Sequence, residues 1–179
     1  AGFYVDATES PWSKNYRMYS YIVDELPALL AEHDLIDVDR MGVFGHSMGG
    51  HGALTIHLKN PQKFKSVSAF APIVAPMQVD WGIKALRGYL GEQGNNTHWA
   101  QYDSCALIQA RPSSALILVD QGTNDEFIAN LKPHLLADVC ELSGQALKLN
   151  MRENYDHSYY FVATFIESHI RHHFDQLQQ

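Results

Sequence analysis

Ser47 is the residue whose neighbours first suggest chemistry. It sits in Gly45-His46-Ser47-Met48-Gly49-Gly50, a Gly-x-Ser-x-Gly run between a short apolar stretch and an amphipathic one. A serine on a sharp strand-to-helix turn is held in a strained conformation, with its hydroxyl projecting above the sheet. The flanking glycines are expected because a Cβ there would meet the neighbouring strand and helix. Such a hydroxyl becomes a nucleophile only with a base beside it and a carboxylate orienting the base. The acid should follow a strand downstream of the serine. Asp120 and Asp125 both follow the apolar run at 115–119. Asp120, at the end of that run, is expected to serve the turn. Asp125, in Gly122-Thr123-Asn124-Asp125-Glu126-Phe127, stands on the loop and is favoured over Asp120 and Glu126.

Ten histidines compete for the base. His46 and His51 flank the serine on its own element and are expected to miss its hydroxyl. His33, His57, His98 and His134 precede the acid or fall on helical stretches. His169, His172 and His173 cluster on the last helix and read as a solvated face. Zinc is not expected there, for want of nearby carboxylates or cysteines. His157, in Asn154-Tyr155-Asp156-His157-Ser158, follows the last strand and precedes the last helix, on a loop. Order and position select it. The Met48 N–H, next in the chain after Ser47, is the expected oxyanion donor.

These groups need a scaffold, and the hydrophobic pattern supplies one. Short apolar runs at 40–44, 66–70, 115–119 and 147–151 read as strands. Amphipathic stretches at about 16–33, 48–59, 127–143 and 159–175 read as helices. Pro27 should kink the first of these. Residues 1–15 read as a loop, and 72–112 as an excursion of two or three short helices. Strands alternating with helices at this spacing give an α/β class with a parallel sheet covered on both faces. With 179 residues, no repeat and no linker, a single domain over 1–179 is expected. Hydrophobic residues make up 46% and charged residues 18%, as in a globular chain. The net charge of −7 argues against nucleic-acid binding and against a polybasic membrane surface. No apolar run approaches the ~18–20 residues of a membrane span. Cys105 and Cys140 read as two reduced thiols, too few for a disulfide framework.

The residues also resemble a known family. Gly45-His46-Ser47-Met48-Gly49-Gly50-His51-Gly52-Ala53 and Tyr155-Asp156-His157-Ser158-Tyr159-Tyr160-Phe161 are similar to S-formylglutathione hydrolase, also called esterase D. So are the opening residues 1–8, Trp81-Gly82 through Tyr89-Leu90-Gly91, Asp120-Gln121-Gly122, and Ile170-Arg171-His172-His173. The resemblance covers essentially the whole chain. It implies an α/β-hydrolase fold, of which this chain carries the C-terminal portion, about four parallel strands with helices on both faces. It implies a cofactor-free, metal-free cytoplasmic enzyme, often a homodimer. Its small-molecule substrate would be the thioester S-formylglutathione, cleaved to glutathione and formate in formaldehyde detoxification. The matched triad is Ser47, Asp125 and His157. Residues 75–80 depart from the Asn-Pro and Cys-Pro pairs common in the family.

The chain opens Ala1-Gly2 without an initiator methionine, and family members carry roughly a hundred residues before this point. The first strands and the second oxyanion donor are therefore expected to lie upstream, and 1–179 alone is expected to be inactive, with the strand at 40–44 an open edge. A cramped acyl pocket is expected for formyl, with Trp81 a wall. Lys84 and Arg87 are the nearest basic candidates for the glutathione carboxylates. An acyltransferase or general carboxylesterase of the same superfamily is the first rival reading. A non-catalytic binding module is the second.

Overall fold

The computed structural model describes residues 2–92 and 96–178. Four strands, β1 (Met41–His46), β2 (Phe64–Phe70), β3 (Ile117–Gly122) and β4 (Leu147–Arg152), form one sheet in that order. All three pairings are parallel. Around them run α1 (Met18–Ser20), α2 (Leu26–Leu30), α3 (Met48–Lys59), α4 (Asp80–Leu90), α5 (Asn96–Ala100), α6 (Ser104–Ala110), α7 (Ile128–Leu131), α8 (Pro133–Ser143) and α9 (Tyr159–Leu177). None of the described helices is long and apolar enough to cross a membrane.

Period-two alternation sends one set of strand side chains to each face. Val67, Ala69, Ile117 and Val119 meet Leu54 of α3, Ile108 of α6 and Leu136 of α8 in one apolar core. The other face meets α9. There the structure overturns the reading of the terminal histidines as solvated. His169 is wholly buried, its ring stacked 3.7 Å from that of Phe70 at 19°. His173 lies 2.6 Å from Ser66 Oγ and 2.9 Å from Ser68 Oγ, and His172 Nε2 donates to the Val67 carbonyl at 3.1 Å. A helix laid on serines of alternating register offers imidazoles hydroxyl partners that a solvated face would not. Both cysteines are free and buried, and burial pushes the Cys140 thiol up to about 11.

Element boundaries moved for local reasons. The first helix does not run to residue 33. A π-helical turn, Tyr21–Glu25, separates α1 from α2. Pro27 has no N–H for the Val23 carbonyl, and the Lys63 ammonium donates to that carbonyl instead. The stretch at 127–143 is two helices, because Pro133 disfavours helical backbone at Lys132, which takes φ 54°. β3 starts at Ile117, since Ala115 gives its backbone to side chains: its N–H to Ser113 Oγ and its carbonyl to Gln145 Nε2.

The N-terminal residues are not a free loop. His51, wholly buried in α3, reaches the Phe3 carbonyl at 3.1 Å, and a Cβ at Gly52 would come 2.6 Å from the Tyr4 ring. Phe44, on the outer edge of β1, is 51% exposed.

Candidate active site

β1 ends at His46 and α3 begins at Met48, so Ser47 alone turns the chain. Its φ of 58° and ψ of −117° lie where side-chain-bearing residues are strained. The turn is held from both sides. The Ser47 N–H donates to the Phe70 carbonyl of β2 at 2.8 Å, and the Ser47 carbonyl accepts from the His51 N–H at 3.0 Å. A Cβ on Gly45 would stand 2.3 Å from the Gly49 carbonyl oxygen, so glycine is needed there. Gly49 differs from the expectation. The nearest neighbour of a Cβ there would be the Tyr4 hydroxyl of the N-terminal segment at 3.8 Å, an ordinary contact.

His157 comes from the loop between β4 and α9, and Asp125 from the loop between β3 and α7. His157 Nδ1 lies 2.7 Å from Asp125 Oδ2. A carboxylate only accepts, so Nδ1 carries the hydrogen, and in the neutral ring it is Nε2 that keeps a lone pair. Asp125 Oδ1 accepts from the Phe127 N–H at 2.8 Å, and Oδ2 also accepts from Gln121 Nε2 at 2.9 Å. Burial alone would raise this carboxyl. The His157 ring, the Phe127 N–H and the Gln121 amide outweigh it and hold the group below the usual carboxylate range.

The two loops are fastened to each other. Thr123 N–H donates to the Arg152 carbonyl at 3.0 Å, and Asn124 N–H to the Tyr155 carbonyl at 2.9 Å. A Cβ on Gly122 would stand 2.3 Å from the Tyr155 carbonyl oxygen. Only glycine lets the Asp125 loop approach the His157 loop this closely.

Asp120 is not a turn residue. It lies inside β3, pairs in register with Asn150, and faces α9. Its Oδ1 accepts from Asn150 Nδ2 at 2.6 Å and its Oδ2 from Arg152 Nε at 2.7 Å, with His169 Nε2 3.7 Å away. Burial raises this carboxyl, but His169, Arg152 and Asn150 together hold it low. It bolts β3 to β4.

Ser47, His46, His157, Tyr159 and Tyr160 line one cavity of about 920 Å³ beside the Phe44 edge of β1. The His46 ring lies 4.5 Å from that of His157 and 5.6 Å from that of Tyr159. Burial, then the charge of His157, lowers the His46 imidazole from its ordinary value. Met48 is the first residue of α3, where backbone N–H groups have no partner within the helix. Trp81, on α4, stands one ring away from His157: it meets Phe127 edge-on at 5.8 Å, and Phe127 meets His157 at 5.0 Å. Lys84 is exposed and Arg87 is paired with Glu92 at 3.2 Å. Among the described residues, no group of three or more His, Cys, Asp or Glu is placed to hold a metal ion. Sequence reasoning did not single out Gln121 or Phe127. Both lie within four residues of Asp125, a proximity that could have drawn attention to them.

A family described as "Putative esterase" matches residues 1–172. The chain belongs to this esterase family. Its relatives include the S-formylglutathione hydrolases of Mus musculus and Bos taurus, each 52% identical over 176 residues. Those matches cover 97% of this esterase-family chain and 62% of each relative, so the chain spans under two thirds of their length. A solved S-formylglutathione hydrolase from Agrobacterium tumefaciens superposes with a TM-score of 0.94 at 49% identity, covering 99% of this chain and 64% of that one.

Proposed function

We propose that Ser47, His157 and Asp125 are the nucleophile, base and orienting acid of a serine hydrolase, and that the intact protein cleaves S-formylglutathione to glutathione and formate. The observation that carries this reading is the 2.7 Å pair of His157 and Asp125, with His157 lining the cavity that also holds the strained Ser47. The names of the mouse, bovine and Agrobacterium relatives supply the substrate class.

With Nδ1 engaged by Asp125, His157 Nε2 takes the proton from Ser47 Oγ as that oxygen attacks the formyl carbon. The oxyanion meets the Met48 N–H. The tetrahedral intermediate collapses, breaking the C–S bond; glutathione leaves as a thiolate and takes up the proton held on His157 Nε2, which restores the neutral base. His157 Nε2 then takes a proton from water as it attacks the formyl-serine, and returns it to Ser47 Oγ as the acyl C–O bond breaks and formate is released. Thiolate is a good leaving group, so His157 matters less as an acid here than it would for an alkoxide. Small esters should therefore react as well. Trp81 and Phe127 form an aromatic wall beside the base, fitting a small acyl group.

The test is kcat/KM of the intact protein on S-formylglutathione beside a small aryl ester, repeated for Ser47→Ala and His157→Ala. Both substitutions should lower turnover by several orders of magnitude. Ser47→Ala should also abolish labelling by a fluorophosphonate. A Ser47→Ala protein that keeps its rate would overturn the serine mechanism. A thioester turned over no better than the aryl ester would overturn the substrate assignment alone.

A further inference from the structure

The acid of the site is gripped by a residue that the mechanism above does not use. Gln121 is the penultimate residue of β3 and is wholly buried. Its Nε2 donates to Asp125 Oδ2 at 2.9 Å and to the Gly122 carbonyl at 3.1 Å. Both neighbours only accept, so the amide must present its NH2 to them. That orientation leaves Oε1 buried without a hydrogen-bond partner. An unpartnered buried acceptor is a standing penalty that an apolar side chain of the same size would avoid. The side chain's donors therefore have a use, and they point at one carboxylate.

That carboxylate oxygen is the one His157 uses. Oδ2 accepts from both Gln121 Nε2 and His157 Nδ1, while Oδ1 accepts from the Phe127 N–H. Backbone fixes one oxygen and a strand-borne amide fixes the other, so the carboxylate cannot rotate about its χ2 bond. We propose that Gln121 is a positioning residue, holding Asp125 in the one orientation that aims His157 at Ser47 and moderating how strongly Asp125 attracts the proton on the ring. The inference rests on the triad reading above.

Removing this donor has a sign. A carboxylate with one hydrogen bond fewer concentrates more negative charge toward His157 and favours the charged imidazole, which cannot act as base. The acid limb of the pH–rate profile should move to higher pH. The other titratable groups facing the pair are Asp156 beside His157 and His46 at the end of β1, with Tyr159 of α9 packed on His46. Substitution at Gln121 leaves all three in place.

The experiment measures kcat/KM against pH for the intact protein with Gln121→Met and Gln121→Glu, with Tm recorded for each. Gln121→Met should lower kcat/KM about 10-fold near neutral pH, the rate equivalent of one charge-assisted hydrogen bond. The loss should fall on kcat, because Gln121 does not line the cavity. The acid limb should shift upward in Gln121→Met; in Gln121→Glu the buried carboxyl beside Asp125 stays protonated and donates in the amide's place, so its acid limb should lie closer to the wild-type position. An acid limb unmoved in Gln121→Met would overturn the proposal, whatever the fall in rate or Tm. Asp125→Asn is run beside them. If it keeps the wild-type rate, the acid assignment fails and the role of Gln121 fails with it. If it is damaging while the Gln121→Met profile stays unmoved, the Gln121 proposal fails alone.

Discussion

Two aspartates five residues apart have been given different tasks, and their partners show why. Asp125 meets a backbone N–H, an amide and an imidazole at the edge of a cavity. Asp120 meets Arg152 and Asn150 of β4, with the Asp120 side chain fully buried and that of Arg152 28% exposed. Removing one partner of a buried ion pair leaves the other uncompensated, a loss of about 3 kcal/mol. Asp120→Asn should therefore lower stability by about that amount while changing kcat less than about 10-fold, since no atom of Asp120 meets Ser47 or His157. Urea unfolding and ester turnover on the same preparation check it. A large kcat loss with unchanged stability would reverse the roles.

At the scale of elements, the strand-to-helix turn shows which glycine the geometry needs. Gly45 runs beneath the first turn of α3 with no room for a Cβ, whereas Gly49 has its nearest neighbour at 3.8 Å. Alanine is the better helix former, by up to about 1 kcal/mol in a helix interior. Gly49→Ala should thus leave the melting temperature unchanged or slightly raised. Gly45→Ala should lower it by more than about 10 °C or prevent folding, because the clash is with backbone that cannot swing aside. Paired thermal melts decide. Equal damage from the two substitutions would mean that α3 sits differently on β1.

Across the whole molecule, buried imidazoles couple folding to pH. His51 ties the N-terminal segment to α3, and burial pushes its imidazole from 6.5 down to about 4. His173, against β2, is likewise lowered to about 4, chiefly by burial and then by His172. Between about 4 and 6.5 the unfolded chain binds protons that the folded chain refuses. Stability is therefore complete above 6.5, falls with pH through that window, and loses no more from these groups below about 4. For His51 alone the loss at pH 5 is about 2 kcal/mol, since each pH unit below the unfolded chain's value costs ~1.4 kcal/mol. His51→Gln keeps a donor for the Phe3 carbonyl without a proton to gain, and should flatten that part of the curve. Unfolding free energies at pH 7 and pH 5 for the two proteins measure it; parallel curves would sink the assignment.

The sequence by itself determined what is local. Gly45 and Ser47 specified the turn, apolar runs and helical periodicity specified four strands and the helices between them, and chain order put Asp125 and His157 on successive loops. Pro27 was also legible as a kink, though not the π turn beside it. Pro133 went unread inside the single helix expected at 127–143, and the left-handed Lys132 before it emerged only in the structure. What only the tertiary structure decided depends on register and on which elements lie against each other. Parallel pairing sets Asp120 opposite Asn150 and turns it toward α9, away from the Ser47 cavity. The angle of α9 on the sheet brings His169 and His173 onto Phe70, Ser66 and Ser68, where a helical repeat alone suggested a face for water. Gln121 was visible only as part of the family-like run Asp120-Gln121-Gly122, with no role attached to its amide. Its amide becomes specific only when the loop after β3 folds Asp125 back over it, a return that Gly122 permits by its lack of a side chain.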